Sequence, residues 1–239
     1  MKLGIIGAME VEIATLRENL QNMTLTTRAG MEFASGELEG LPVVVVQCGV
    51  GKVNAGLCVQ ILCDCFGVTH VVNTGVAGSL SAKLDIGDLV VSQDAMYHDF
   101  DCSIFGDRYV KGQVPGMPVT FPADETLMAY AFSASEKVNL GHTTIGRIAS
   151  GDQFVSEKGQ KENIISVTKA ICTEMEGTAI AHAAYRNQTP FVILRAISDK
   201  ADDSSEMDYP TFEAIAAKRC AEVTRQMARM LKEAEEAEM

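Results

Sequence analysis

The chain has 239 residues, 47% of them hydrophobic, enough for one substantial core, and α/β folds of this length commonly form one domain, here 1–239. Lys and Arg number 20 against 32 Asp and Glu, a formal charge of −12 with no basic run, which argues against nucleic acid as a partner. No apolar stretch reaches the length of a membrane span, and Glu10 interrupts the N-terminal run before it attains signal-segment length, so the chain reads as soluble and cytoplasmic.

In chain order, "KLGIIG" is a short apolar run bounded by glycine and reads as a strand, followed by a helix on which Val11, Ile13, Leu16 and Leu20 share a face. "TLTTRAG", "MEFASGEL" and "LPVVVVQC" are three β-rich runs separated by turn residues, a meander, before the helix "GKVNAGLCVQILCDCFG". Strands are expected at "THVVNTG", "GDLVVSQDAMYH", "HTTIGRIASG", "KAICTEM" and "PFVILRAIS". Helices are expected at "DETLMAYAFSASEKV", after Ser156, from Gly177 to Asn187, and from Thr211 to Leu231, the last followed by a polar tail. On that final helix Phe212, Ile215, Ala216, Cys220, Val223, Met227 and Met230 recur at three- and four-residue steps. Alternating strands and helices with continuously apolar strands give an α/β class with a mixed or parallel sheet covered on both faces.

Ligands of such sheets sit at the carboxyl ends of strands, so the loops after each strand carry the candidates. "CGVGK" lacks the first glycine of a phosphate loop, and "GIIGAM" is not a dinucleotide fingerprint. Gly75 and Gly78 either let backbone approach a ligand or form a tight turn. Glu10 and Glu12 suit the first turn of any helix, where the macrodipole favours acids. Asp199 ends the run "FVILRAIS" and either caps the next element or faces a ligand. Arg195, inside that run, needs a carboxylate if buried, with Glu174 or Glu176 as candidates. His98 reads as a satisfied structural histidine, and Ser198 lacks a nucleophile elbow. The seven cysteines are odd in number and scattered, which speaks for a reducing compartment; Cys63 and Cys65 read as small core residues rather than metal ligands. Carboxylates and glycine loops at strand ends, with Phe154 and Tyr209 nearby, suit acid/base hydrolysis of a neutral or zwitterionic small molecule.

At these residues the chain resembles a known family. "GIIGAMEVEI", "CGVGKVNA", "VVNTGVAGSL", "GDLVVSQDAMYHDFD", "FPAD", "SGDQFV", "EMEGTAIAH" and "RAISDKAD" are similar, in order and spacing, to the 5′-methylthioadenosine/S-adenosylhomocysteine nucleosidases of the purine nucleoside phosphorylase superfamily. The resemblance implies a three-layer α/β/α sandwich around a mixed, partly barrel-like sheet, a homodimer, and hydrolysis of the bond between adenine and a 5′-thio-ribose. It implies no cofactor and no metal. It places Asp199 as general acid at purine N7 with Ser198 beside it, Glu12 as base for water, and Glu176 with Met175 at the ribose, leaving Glu174 structural. It assigns Phe154 and Val155 to the adenine, and Met9, Val50, Val76 and Tyr209 to the ribose and thio substituent. Phe105 and Pro115 bound a loop, longer here than the family form, that contributes in the family to the partner subunit's 5′-substituent pocket. Related adenine nucleosides, 5′-deoxyadenosine and 6-amino-6-deoxyfutalosine among them, are alternative substrates that the resemblance leaves open, as is a phosphorylase of the same superfamily.

Overall fold

The computed structural model describes residues 1–106, 108–138, 141–201 and 205–237, with side chains of the last segment described from Tyr209 onward. Strand β1 (Leu3–Gly7) lies between β4 (Leu41–Gln47) and β5 (His70–Ser79), parallel to both. Its run of buried residues explains the unbroken apolar sequence, because both faces are covered. The expected meander is β2 (Gln21–Arg28), β3 (Met31–Leu38) and β4, paired antiparallel, with β2 at the outer edge.

Beyond β5 the sheet closes on itself. Strand β10 (Phe191–Asp199) runs parallel to β5 and antiparallel to β6 (Leu89–Tyr97); β6 pairs β8 (Thr143–Ser150), β8 pairs β9 (Cys172–Glu174), and β9 returns to β5. Strands β5, β10, β6, β8 and β9 thus form a five-stranded barrel, from which β1, β4, β3 and β2 extend as an open sheet. The short β7 (Phe121–Pro122) adds to β6.

Alternate residues of the strands feed two cores. Ile6, Val44, Val46 and Ile193 pack with α2 (Lys52–Phe66) and α5 (Gly177–Arg186), whereas Leu3, Ile5, Val43 and Val72 pack with α1 (Glu10–Glu18), α3 (Glu125–Val138) and α6 (Ser205–Ala237). A third cluster joins α4 (Lys158–Thr168) to Leu80, Ala149 and Ala201. The result is the expected three-layer α/β fold. No helix among the described residues is long and apolar enough to cross a membrane.

Some details differ from the sequence expectation. Helix α6 begins at Ser205, ahead of Pro210, and continues through the segment expected to be a tail. Ile215 and Cys65, expected to be core residues, are exposed. "NTGVAGS" is not a turn: it is the carboxyl end of β5, which runs on through both glycines and stops at Ser79.

Candidate active site

The site lies where β5 changes neighbours. Its first half, to Asn73, pairs with β1, while β9 joins only at Gly78. In the gap, the N–H of Val76 has no strand beside it on that side and donates to Glu12 Oε1 at 3.0 Å. Glu12 Oε2 accepts from Ala8 N at 2.7 Å and Met9 N at 3.0 Å, closing the first turn of α1. The same carboxylate therefore starts a helix and fills a fork in the sheet, with 2% of its surface exposed. Burial raises its pKa above the ordinary 4.5, against the opposing pull of Arg195 and the three backbone N–H groups. Glu10, its neighbour in the same turn, is exposed.

Gly75 is explained by this crowding. A Cβ there would fall on Glu12 Oε1 and Arg195 Nη1 and lie 2.8 Å from Glu12 Cδ. Of the two roles open to it from sequence, neither holds: the glycine makes room for side chains within a strand.

The carboxylates of "TEMEG" separate into two kinds. Glu174 is saturated: Oε2 accepts from Gly177 N at 2.7 Å, from Glu176 N at 3.1 Å and from the guanidinium of Arg195, and Oε1 accepts from Ser150 Oγ. It caps α5 and neutralises Arg195, which also donates to Asn73 Oδ1 at 2.6 Å. Glu176, also buried, accepts from Gly51 N at 2.7 Å at the start of α2 and otherwise faces the pocket. Burial and the neighbouring Glu174 push its pKa up, with Arg195 opposing. One buried arginine among three buried carboxylates leaves an excess of negative charge, so Glu12 and Glu176 both hold protons more tightly than in water.

Asp199, at the end of β10, accepts from Ser198 Oγ at 3.0 Å and from Ala201 N at 2.7 Å. The Ser198 hydroxyl also lies 3.4 Å from Ala77 O; its single proton serves one acceptor at a time. Tyr209 Oη donates to Glu213 at 2.8 Å, and its ring meets Phe154 edge-on with centroids 5.4 Å apart. Phe154 is half exposed at the mouth, and Val155 is buried behind it.

These residues surround an open-mouthed pocket. Glu12, Asp199, Met9, Val50, Val76, Phe154, Val155, Met175, Glu176, Ser198 and Tyr209 all line it. Phe105 and Pro115 do not; both are exposed, and Asp107 between them lies outside the described residues. Gln153 and Thr173 line the pocket without having been singled out from sequence; the first sits inside a quoted strand-end motif, whereas the second carries no signal beyond its place before Glu174. His98 stands outside it, pressed on Gly151, with its Nε2 buried and without a partner among the described residues. No lysine or arginine is among the described residues lining the pocket.

The sequence pattern of the phosphorylase superfamily matches residues 2–229. The fold is similar to that of the 5′-methylthioadenosine/S-adenosylhomocysteine nucleosidase of Colwellia psychrerythraea, solved with adenine: 40% identity, TM-score 0.92, covering 95% of this chain and 94% of that one. The nucleosidase of Neisseria meningitidis, solved with methylthio-immucillin-A, aligns at 34% identity and TM-score 0.93 over 96% of this chain and 99% of that one. Futalosine hydrolase of Helicobacter pylori aligns at 33% identity and TM-score 0.90 over 95% and 97%. The chain belongs to the phosphorylase superfamily, in the branch that holds the 5′-methylthioadenosine/S-adenosylhomocysteine nucleosidases.

Proposed function

We propose that this protein hydrolyses the N-glycosidic bond of 5′-methylthioadenosine and S-adenosylhomocysteine, releasing adenine and the 5′-thio-ribose. The observation that carries the reading is a pocket lined by the buried carboxylates Glu12, Glu176 and Asp199 beside the ion-paired Glu174, with no cationic side chain among its described lining residues. A phosphorylase needs donors of positive charge around phosphate; water needs a base.

In this mechanism Asp199 delivers a proton to N7 of adenine, with Ser198 orienting the carboxyl group. The C1′–N9 bond breaks as its electron pair passes to the protonated base, leaving an oxocarbenium-like ribosyl group. Water adds to C1′ from the other face and its proton passes to Glu12, whose raised pKa brings it closer to the working pH of a general base. The Glu12 carboxylate also favours the cationic centre. Glu176 accepts hydrogen bonds from the 2′- and 3′-hydroxyls, with Met175 beside the sugar. Phe154 stacks on adenine and the Val155 backbone reads its edge; Met9, Val50, Val76 and Tyr209 line the ribose and the tail. An acid and a base on opposite faces with water between them give inversion at C1′, as in inverting glycosidases.

Asp199→Asn tests the assignment: kcat falls by about 10²–10⁴-fold while the nucleoside still binds in calorimetry. Turnover retained near the wild-type rate sinks the role given to Asp199. A second reading, with 6-amino-6-deoxyfutalosine as the main substrate, is favoured by the likeness to futalosine hydrolase; the ratio of kcat/KM values for the two nucleosides separates them.

The reading treats 1–239 as one domain in a cytoplasmic homodimer in which Phe105 and Pro115 reach the partner subunit's pocket. Exposed Val53 and Leu57 on one face of α2, exposed Ile104 and Phe105, and seven free cysteines support it. Light scattering on the purified protein gives the oligomeric state; a monomer at assay concentration contradicts it.

A further inference from the structure

The peptide unit after Asp199 is held from two sides. The carbonyl of Lys200 accepts a hydrogen bond from Lys161 Nζ on α4. On the other side, Lys200 Nζ donates to Leu84 O at 2.6 Å and to Asp85 Oδ1 at 2.8 Å, both in the loop between β5 and β6. That loop is also laced to the strand just before the acid: Gly87 N donates to Ile197 O at 2.8 Å, and Ile197 N to Asp88 O at 2.9 Å.

What is being held is an unfavourable turn. Strand β10 loses its register with β5 between Ile197 and Asp199, and Ala201 has φ of 49°. A buried alanine enters the left-handed region only where its surroundings impose it. This conformation returns the Ala201 N–H to Asp199 Oδ1. Gly78 answers the same constraint, because a Cβ there would lie 2.8 Å from both Ala201 Cβ and Asp199 Oδ1.

A purely stabilising role accounts poorly for the arrangement. The Lys200–Asp85 pair is a surface pair, with the Asp85 side chain 88% exposed, and such pairs contribute little. The two bonds to main-chain carbonyls are partly buried and secure a single turn.

We propose that Lys161 and Lys200 are positioning residues that clamp the 199–201 turn so that the Asp199 carboxyl group faces the pocket. The inference rests on reading Asp199 as the acid. Loss of either ammonium lets Ala201 relax out of the left-handed region and withdraw its N–H from Asp199. Because both groups hold one residue, their effects do not add.

The test uses the full-length protein with Lys161→Met and Lys200→Met, which keep most of the aliphatic stem, their double variant, and Lys200→Arg, which keeps a cation. Two measurements are made: steady-state kinetics (kcat and KM) of adenine release from 5′-methylthioadenosine, and amide hydrogen exchange at Ala201 by NMR. Each methionine variant lowers kcat about tenfold with KM within about twofold, since a misdirected acid affects the transition state rather than binding. Ala201 exchanges at least about tenfold faster in each. The double variant is no more than about twofold worse than the worse single one, and Lys200→Arg recovers most of kcat. Unchanged Ala201 exchange in both methionine variants overturns the clamp, as does faster exchange with unchanged kcat. A wild-type protein that releases no adenine overturns the functional reading instead, and the exchange measurement still decides whether the clamp exists.

Discussion

At the scale of single residues, two glutamates two positions apart do different work because one has spent its lone pairs. Glu174 is fully engaged by two backbone N–H groups, Ser150 and Arg195, whereas Glu176 keeps acceptor capacity toward the pocket. Holding that capacity in a buried site is destabilising. The Glu176 pKa is raised in the folded state, so the native protein binds the proton more tightly than the unfolded chain does. Stability from this group is complete below its unfolded pKa and is lost as pH rises through the folded value. Glu176→Gln keeps an acceptor for Gly51 N and removes the charge; we expect Tm at pH 8 to rise by roughly 2–4 °C, with the gain shrinking toward pH 4.5. Differential scanning calorimetry across pH checks it, and a gain that grows on acidification has the wrong sign. Gly75→Ala acts in the opposite direction. The added methyl meets Glu12 and Arg195, which are pinned, so a loss of about 1–3 kcal/mol is expected in urea unfolding, and unaltered stability contradicts the crowding.

At the scale of elements, α2 is started by a residue far away in sequence. Its N-cap position is Gly51, which has no side chain to offer, and Asp152 Oδ1 accepts from Lys52 N at 2.8 Å instead. Asp152 thereby steadies the helix end whose preceding N–H binds Glu176. Asp152→Ala is expected to cost about 0.5–2 kcal/mol and to raise KM for nucleoside more than it lowers kcat, which steady-state kinetics and calorimetry measure together. Most strands and helices were legible because apolar runs and three- to four-residue periodicities survive without context. The start of α6 was not, because Pro210 reads as a stop when taken alone but lies within the helix. The continuation of β5 through two glycines was hidden for a similar reason: the space those glycines supply is filled by Glu12 of α1, Arg195 and Asp199 of β10, and Ala201 in the turn after it.

At the scale of the whole molecule, the barrel closure of β10 against both β5 and β6 was beyond the reach of local pattern, since no residue signals its partner strand. Motif resemblance supplied it, together with the grouping of strand ends around one cavity. Eleven of the thirteen residues expected at the site line the pocket; the two that do not are Phe105 and Pro115. Burial of Glu12 could not be read from its position, because an exposed acid at the start of a helix is equally favourable; only the fork in β5 distinguishes it from Glu10. The same fork gathers Glu12, Glu176 and Asp199 around a cavity without cations among its described lining.

That absence of positive charge is the point on which hydrolysis and phosphorolysis divide. Adenine release from 5′-methylthioadenosine, followed by chromatography in phosphate-free buffer and again with phosphate added, tests it most directly. The account predicts the same rate in both, with free 5-methylthioribose as co-product. Release only when phosphate is present, or none in either buffer, contradicts it.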